Sequence, residues 1–128
     1  MRLPPLDVII ELHGETIELH GGLPGIKNRG NLEASLARAE HLLAYADPPP
    51  DAVDLACAIC VSINRNHAFN DGNKRIAFIT LALTLELNGY SLDVRERDAV
   101  KVMMAQAAGE LSETEFVRWV RANIEVID

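Results

Sequence analysis

Between Arg75 and Asn88 the chain is apolar almost without relief: Ile76, Ala77, Phe78, Ile79, Leu81, Ala82, Leu83, Leu85 and Leu87. A helix written this way has no broad polar side to turn to water, so it should be the central buried helix, with the other elements around it. Asn88 and Gly89 close it in the usual C-terminal manner.

The remaining segments also read as helices separated by turn chemistry. Pro4, Pro5 and Asp7 start an apolar-periodic stretch through Val8, Ile9, Leu12 and Ile17, and Gly21, Gly22, Pro24, Gly25, Asn28 and Gly30 then break any helix. Leu32, Leu36, Ala39, Leu42 and Leu43 trace a second helical face, with Asn31 as its expected cap. Pro48, Pro49 and Pro50 stop it, and Asp51 with Asp54 opens a third helix to about Asn66. Asp93 is expected to cap a helix through Val100, Val102, Met103 and Met104 to Gly109. Ser112 and Glu115 form a capping box before a last helix containing Phe116, Trp119, Val120 and Ile124. Beyond a short hairpin near the glycine-rich loop, nothing alternates as a strand would. The expectation is an all-α, compact single domain over 1–128, about six helices around a central buried one.

Composition narrows the function classes. The 128 residues carry 12 Lys and Arg against 19 Asp and Glu, a net charge of −7. That balance repels a polyanion at long range and argues against general nucleic-acid binding, though not against a small basic pocket. No apolar run is long enough to span a membrane, and the N-terminus lacks the apolar stretch of a signal peptide, so the cytoplasm is the expected compartment. Cys57 and Cys60 are spaced as a redox or metal pair. They fall inside a helical apolar pattern with no strand before them, and two thiols do not complete a zinc site, so they read as core.

The run 67–75, HAFNDGNKR, is what composition and packing do not explain. A loop through Asn70, Asp71 and Gly72 joins two helices, so the backbone N–H groups of Gly72, Asn73 and Lys74 point out of a helix N-terminus, an anion site by geometry and dipole. Gly72 permits a nest and a close phosphate approach. Lys74 adds a point charge and Arg75 a planar fork. Asp71 would repel a bare phosphate but suits Mg²⁺, which binds one or two carboxylates together with substrate phosphates. His67 carries the imidazole side chain that most often serves as a general base. Together these are the parts for transfer of a phosphate-containing group.

The bland alternative makes Asp71 an ordinary cap, Gly72 a turn residue, and Lys74 and Arg75 a solvated first turn. It leaves two adjacent cations at a helix end where the dipole favours anions. Phe69 pins the loop in either reading. His13, His20 and His41 show no metal spacing and are expected to be structural or solvated.

His67, Phe69, Asp71, Asn73, Lys74 and Arg75, at this spacing, resemble the signature of Doc ("death on curing") toxins, a branch of the Fic/Doc superfamily. The loop GGLPG at 21–25, NGY at 88–90 and AAGE at 107–110 are similar too, so the resemblance covers most of the chain. Fic adenylyltransferases carry H-P-F-x-[D/E]-G-N-G-R-x-x-R. Here Ala68 stands for the proline, Lys74 for the second glycine and Phe78 for the second arginine.

The resemblance implies His67 as general base, Asp71 as Mg²⁺ ligand, and Lys74, Asn73 and the Gly72 backbone on the phosphates of ATP. Arg75 would contact phosphate or brace the loop, and Arg65 is a lesser candidate. The loop at 21–25 is placed to act as a flap, and a plain surface turn would use the same residues. Lys74 implies the Doc branch, hence γ-phosphoryl transfer to a translation GTPase, elongation factor Tu, as the toxin of a toxin–antitoxin pair. No Ser or Thr is followed four residues on by Glu, so the internal inhibitory pattern of many Fic proteins is absent. Inhibition would come from a cognate antitoxin whose C-terminal segment folds as a helix into a surface groove. The alternatives are a Fic-type adenylyltransferase, and a catalytically silent module that only binds the antitoxin and modulates operon repression.

Overall fold

The computed structural model describes residues 1–127. Among the described residues six helices form: α1 Leu6–His20, α2 Arg29–Tyr45, α3 Ala52–Asn66, α4 Asn73–Leu87, α5 Glu96–Ala107 and α6 Glu113–Arg121. Two short strands, β1 Tyr90–Leu92 and β2 Ile124–Val126, pair antiparallel with Ser91 opposite Glu125. The fold is all-α apart from this ribbon. Among the described residues no helix is long and apolar enough to cross a membrane.

The central helix is α3, not α4. From Ala52 to Asn64, α3 is buried on nearly every side, and α2, α4, α5 and α6 all pack on it. Its small residues explain this: Ala52, Ala56, Cys57, Ala58 and Cys60 let neighbouring helices approach all round. The more apolar α4 buries one stripe, Ile76, Ala77, Thr80, Leu81, Thr84 and Leu85. Thr80 and Thr84 belong to that stripe because each hydroxyl donates to the carbonyl four residues back, at 2.7 Å, which hides its polarity. Phe78 and Ile79 are left half-buried at the rim.

Cys57 and Cys60 are free, buried thiols whose burial pushes both pKa values up, as inert core cysteines should behave. The expected capping box forms at α6, and the acids expected to open α3 form a second one. Asp51 and Asp54 cap α3 reciprocally, and Ser112 and Glu115 cap α6.

Other boundaries shift. Asn28 caps α2, accepting from the Asn31 N–H at 3.0 Å. Asn31 lies inside the helix, and its side chain donates to the carbonyl of Asn66 at the end of α3. Asp93 caps nothing: α5 begins at Glu96 behind Arg95, and the Asp93 N–H extends the ribbon by bonding the Asn123 carbonyl at 2.8 Å. Ile124 lies in β2 rather than in the last helix. The glycine-rich loop forms only an isolated bridge, Ile26 to Phe69, while the ribbon lies elsewhere. Three-residue strands are too short to show alternation, which is why the sequence pattern misplaces them.

Candidate active site

The site is the junction between α3 and α4. α3 ends on His67, the one non-glycine residue with positive φ among the described residues (φ 51, ψ 47). Glycine normally fills such a left-handed C-cap, so a histidine there is held against a cost of about 1–3 kcal/mol. The chain then dives inward, burying Ala68 and Phe69 completely, and returns to the surface at Asn70, Asp71 and Gly72.

Three sets of contacts fix this loop. The first is the 24–28 segment. The Lys27 and Asn28 N–H groups bond the Ala68 carbonyl at 2.8 and 2.9 Å, the Asn70 N–H bonds the Gly25 carbonyl, and the Asn70 amide bonds the Pro24 carbonyl. The second is Asn73, whose side-chain amide closes on Phe69 from both ends: Oδ1 accepts from the Phe69 N–H at 3.0 Å and Nδ2 donates to its carbonyl at 2.9 Å. The third is buried beneath: the His13 ring stacks on Phe69, centroids 3.8 Å apart and planes 14° off parallel, with Nε2 donating to the Asp71 carbonyl at 2.8 Å.

Asp71 is exposed, with its carboxylate held by two backbone donors, Leu23 N–H on Oδ2 at 3.2 Å and Gly72 N–H on Oδ1 at 2.9 Å. Those two hydrogen bonds, Leu23 first, and then the positive charge of Arg75 hold its pKa below the ordinary carboxylate value. Gly22 makes this approach possible, since a Cβ there would lie 2.9 Å from Asp71 Oδ2.

α4 starts behind Gly72 in the left-handed conformation (φ 72), with no side chain capping it and no acid in its first turn. Its first N–H groups, from Asn73 on, are therefore free to meet an anion, with Lys74 and Arg75 exposed beside them, while the Gly72 N–H expected to join them is taken by Asp71.

All six residues expected at the site, His67, Asp71, Gly72, Asn73, Lys74 and Arg75, line one cleft of about 550 Å³. His20, Gly21 and Gly22, from the end of α1, line it too. The Asn73 side chain serves as a loop brace, which leaves its backbone N–H as what it can offer a phosphate. Arg65 does not line the cleft. Its guanidinium lies 2.9 and 3.0 Å from the side-chain amide of Gln106, which accepts both N–H groups once its oxygen is turned toward Arg65, so it ties α3 to α5.

Two participants escaped sequence reasoning. His20 immediately precedes the glycine pair, and that adjacency was an available clue to its place on the cleft. His13 had only its place on the inner face of α1 to mark it, one turn before Ile17. Among the described residues no group of three or more His, Cys, Asp or Glu could cage a metal. A single carboxylate beside a phosphate-sized anion site instead suits Mg²⁺ arriving with a nucleotide.

A second cleft of about 580 Å³ runs between α4 and α5. Lys74 and Arg75 border it as well, but Phe78, Ile79, Val100, Met103 and Met104 make its wall apolar.

Fold and site together define a class: a helical domain built around an H-x-F-x-D-x-N-K-R loop that opens a helix N-terminus to an anion. The model of the Fic/DOC family matches residues 4–85, and the chain belongs to that family. It is 33% identical to the protein kinase doc of Escherichia phage P1 over 112 residues, which span 88% of this chain and 87% of that protein. It is 38% identical over 72 residues to the toxin Doc of Mycolicibacterium smegmatis, covering 56% of this chain and 55% of that one.

Proposed function

We propose that this protein is the toxin of a toxin–antitoxin pair, acting in the cytoplasm by moving the γ-phosphoryl group of ATP onto a hydroxyl of a translation GTPase such as elongation factor Tu. One observation carries the reading: Lys74 stands, exposed, on an uncapped helix N-terminus in the same cleft as His67 and Asp71. The phage P1 relative, named a protein kinase, supports it.

Each group then has a task. The free N–H groups of α4 and the Lys74 ammonium bind and orient the phosphates, with Arg75 flanking them. Asp71, ionised well below neutral pH, is the ligand for Mg²⁺, which when bound would neutralise phosphate charge. His67 takes the proton of the target hydroxyl as its oxygen bonds to the γ-phosphorus and the bond to the β–γ bridging oxygen breaks, releasing ADP. The 21–25 loop, already bonded to Asp71, covers the cleft as a flap.

The α4–α5 cleft, with Val100 and Met104 exposed on its wall, is an apolar strip of the kind an antitoxin's C-terminal helix would cover.

Incubation with a lysate and labelled ATP tests the chemistry. Transfer of γ-label with none from the α position is expected; α-label would make the protein an adenylyltransferase instead. The His67→Ala variant should lose about 10²- to 10⁴-fold in transfer rate and cease to arrest growth. Growth arrest unchanged in that variant would sink the catalytic account.

A further inference from the structure

The only ionisable side chain buried among the described residues, apart from the two cysteines, is His13, and nothing in the proposed chemistry uses it. We infer that His13 is a positioning residue that sets the orientation of the Asp71–Gly72 peptide and, through it, of the Asp71 carboxylate. The inference rests on the reading that Asp71 receives the metal–nucleotide.

A trans peptide points its C=O and N–H to opposite sides. On the buried side, the Asp71 carbonyl accepts from His13 Nε2 at 2.8 Å. On the solvent side, the Gly72 N–H of the same peptide donates to the Asp71 carboxylate at 2.9 Å. Fixing one end of this peptide therefore fixes the other, and with it the carboxylate rotamer.

Glycine alone does not impose that arrangement. Gly72 sits at φ 72, and glycine takes either sign of φ with similar ease, so both orientations of the 71–72 peptide are open to the backbone. The next peptide is anchored independently, since the Gly72 carbonyl already accepts from the Ile76 N–H at 3.0 Å. What selects between the two orientations is the donor beneath.

His13 is itself held rigidly. Its ring is stacked on Phe69, and Ile17, one turn on, lies within 3.3 Å of where a Gly72 Cβ would be. A reversed peptide would leave the His13 N–H buried without an acceptor and turn the Gly72 N–H away from the carboxylate.

Three variants separate the donor from the packing. His13→Phe keeps the stacked ring and removes the N–H. His13→Gln places an amide N–H where Nε2 stood, and His13→Asn carries one that falls a bond short.

Binding of Mn²⁺ with ATP, followed by electron paramagnetic resonance, should weaken about tenfold in the Phe and Asn variants. It should return to within about threefold of the parent in the Gln variant, while the melting temperatures of the Phe and Gln variants agree. Without nucleotide, the Gly72 amide should give one sharp NMR signal in the parent and Gln proteins, and a split or broadened one in the Phe and Asn proteins.

Equal Mn²⁺–ATP binding in parent and Phe variant, or a Gln variant no better than Asn, overturns the inference. If the parent itself fails to bind Mn²⁺–ATP, the proposed function falls, and the Gly72 signal still decides the role of His13. Should the Phe variant fail to fold, the Gln–Asn pair carries the same comparison.

Discussion

Two helix N-termini in this molecule are built in opposite ways. At α3, Asp51 and Asp54 exchange backbone-to-carboxylate hydrogen bonds at 2.9 and 3.0 Å. Their negative charge lies where the helix dipole favours it, and Arg121 from α6 bridges both acids. At α4 the cap is a glycine whose own N–H is held by the Asp71 carboxylate, no side chain accepts from the N–H groups of the first turn, and the charges within that turn are Lys74 and Arg75. Every other helix among the described residues has a side-chain cap, a first-turn acid or both: α1 carries Asp7, α2 the Asn28 cap, α5 Glu96 and Asp98, and α6 a box of the same kind as that at α3. α4 has neither, and with charge of the disfavoured sign in its first turn that end is left open in the way the proposed phosphate site requires.

The sharpest way to break this comparison is Lys74→Glu, which gives α4 an acid of the kind α3 already has. The stability of the chain should hold or rise by about 0.3–1 kcal/mol, because an acid replaces a cation in the first turn. Binding of Mg-ATP, measured by titration calorimetry, should weaken by about 10- to 100-fold or more, the loss expected when a charged hydrogen bond to phosphate is removed. A variant both more stable and unable to bind would show that the open end serves a ligand. Unchanged affinity would return Lys74 to an ordinary solvated side chain.

A finer test separates the reserved anion site from the loop that overhangs it. Gly21 and Gly22 both have positive φ, 82 and 117, so alanine at either strains the backbone, by about 1–3 kcal/mol. Only at Gly22 does the added Cβ meet Asp71, at 2.9 Å from Oδ2; at Gly21 it meets nothing within 4 Å. Gly22→Ala should therefore lower transfer by about tenfold or more through a displaced carboxylate, while Gly21→Ala keeps most of its activity at a comparable melting temperature. Equal losses would mean that flap strain, not contact with Asp71, sets the rate.

How far the molecule was legible from its sequence follows from which signals are local. Both acid-or-serine caps were readable because the partners lie three residues apart. The cleft was readable because seven of its residues fall within nine positions. The central helix was misassigned for a physical reason: large apolar side chains are concentrated on α4, but burial on all sides also needs small side chains, and those are on α3. Nothing in the sequence assigned Thr80 and Thr84 to the buried stripe of α4, because a hydroxyl folded back on its own helix has no sequence mark. Contacts across long chain separations were invisible, His13 to Asp71 and Arg65 to Gln106 among them, since neither end carries a partner's imprint.

The smallest expected effect lies at the closed end. Asp51→Asn keeps an oxygen that can cap α3 but removes the charge facing Arg121. Arg121, through its hydrogen bonds, lowers the Asp51 pKa from 3.8 to about 2. A carboxyl depressed on folding contributes stability that is fully present above its unfolded value and is lost as pH falls through the folded one. The gap between parent and variant in urea melts should therefore be complete above about pH 4 and close as pH approaches 2. Its size at neutral pH should be a few tenths to about 1 kcal/mol, because both side chains of the pair are roughly half exposed and screened by solvent. High salt should shrink it further. Affinity for Mg-ATP should not move at all, since Asp51 lies at the other end of α3 from His67. A gap that persisted to pH 2 would mean that the asparagine disturbs the cap rather than the ion pair. The contrast between the two helix ends would then rest on hydrogen bonding alone, without the charge.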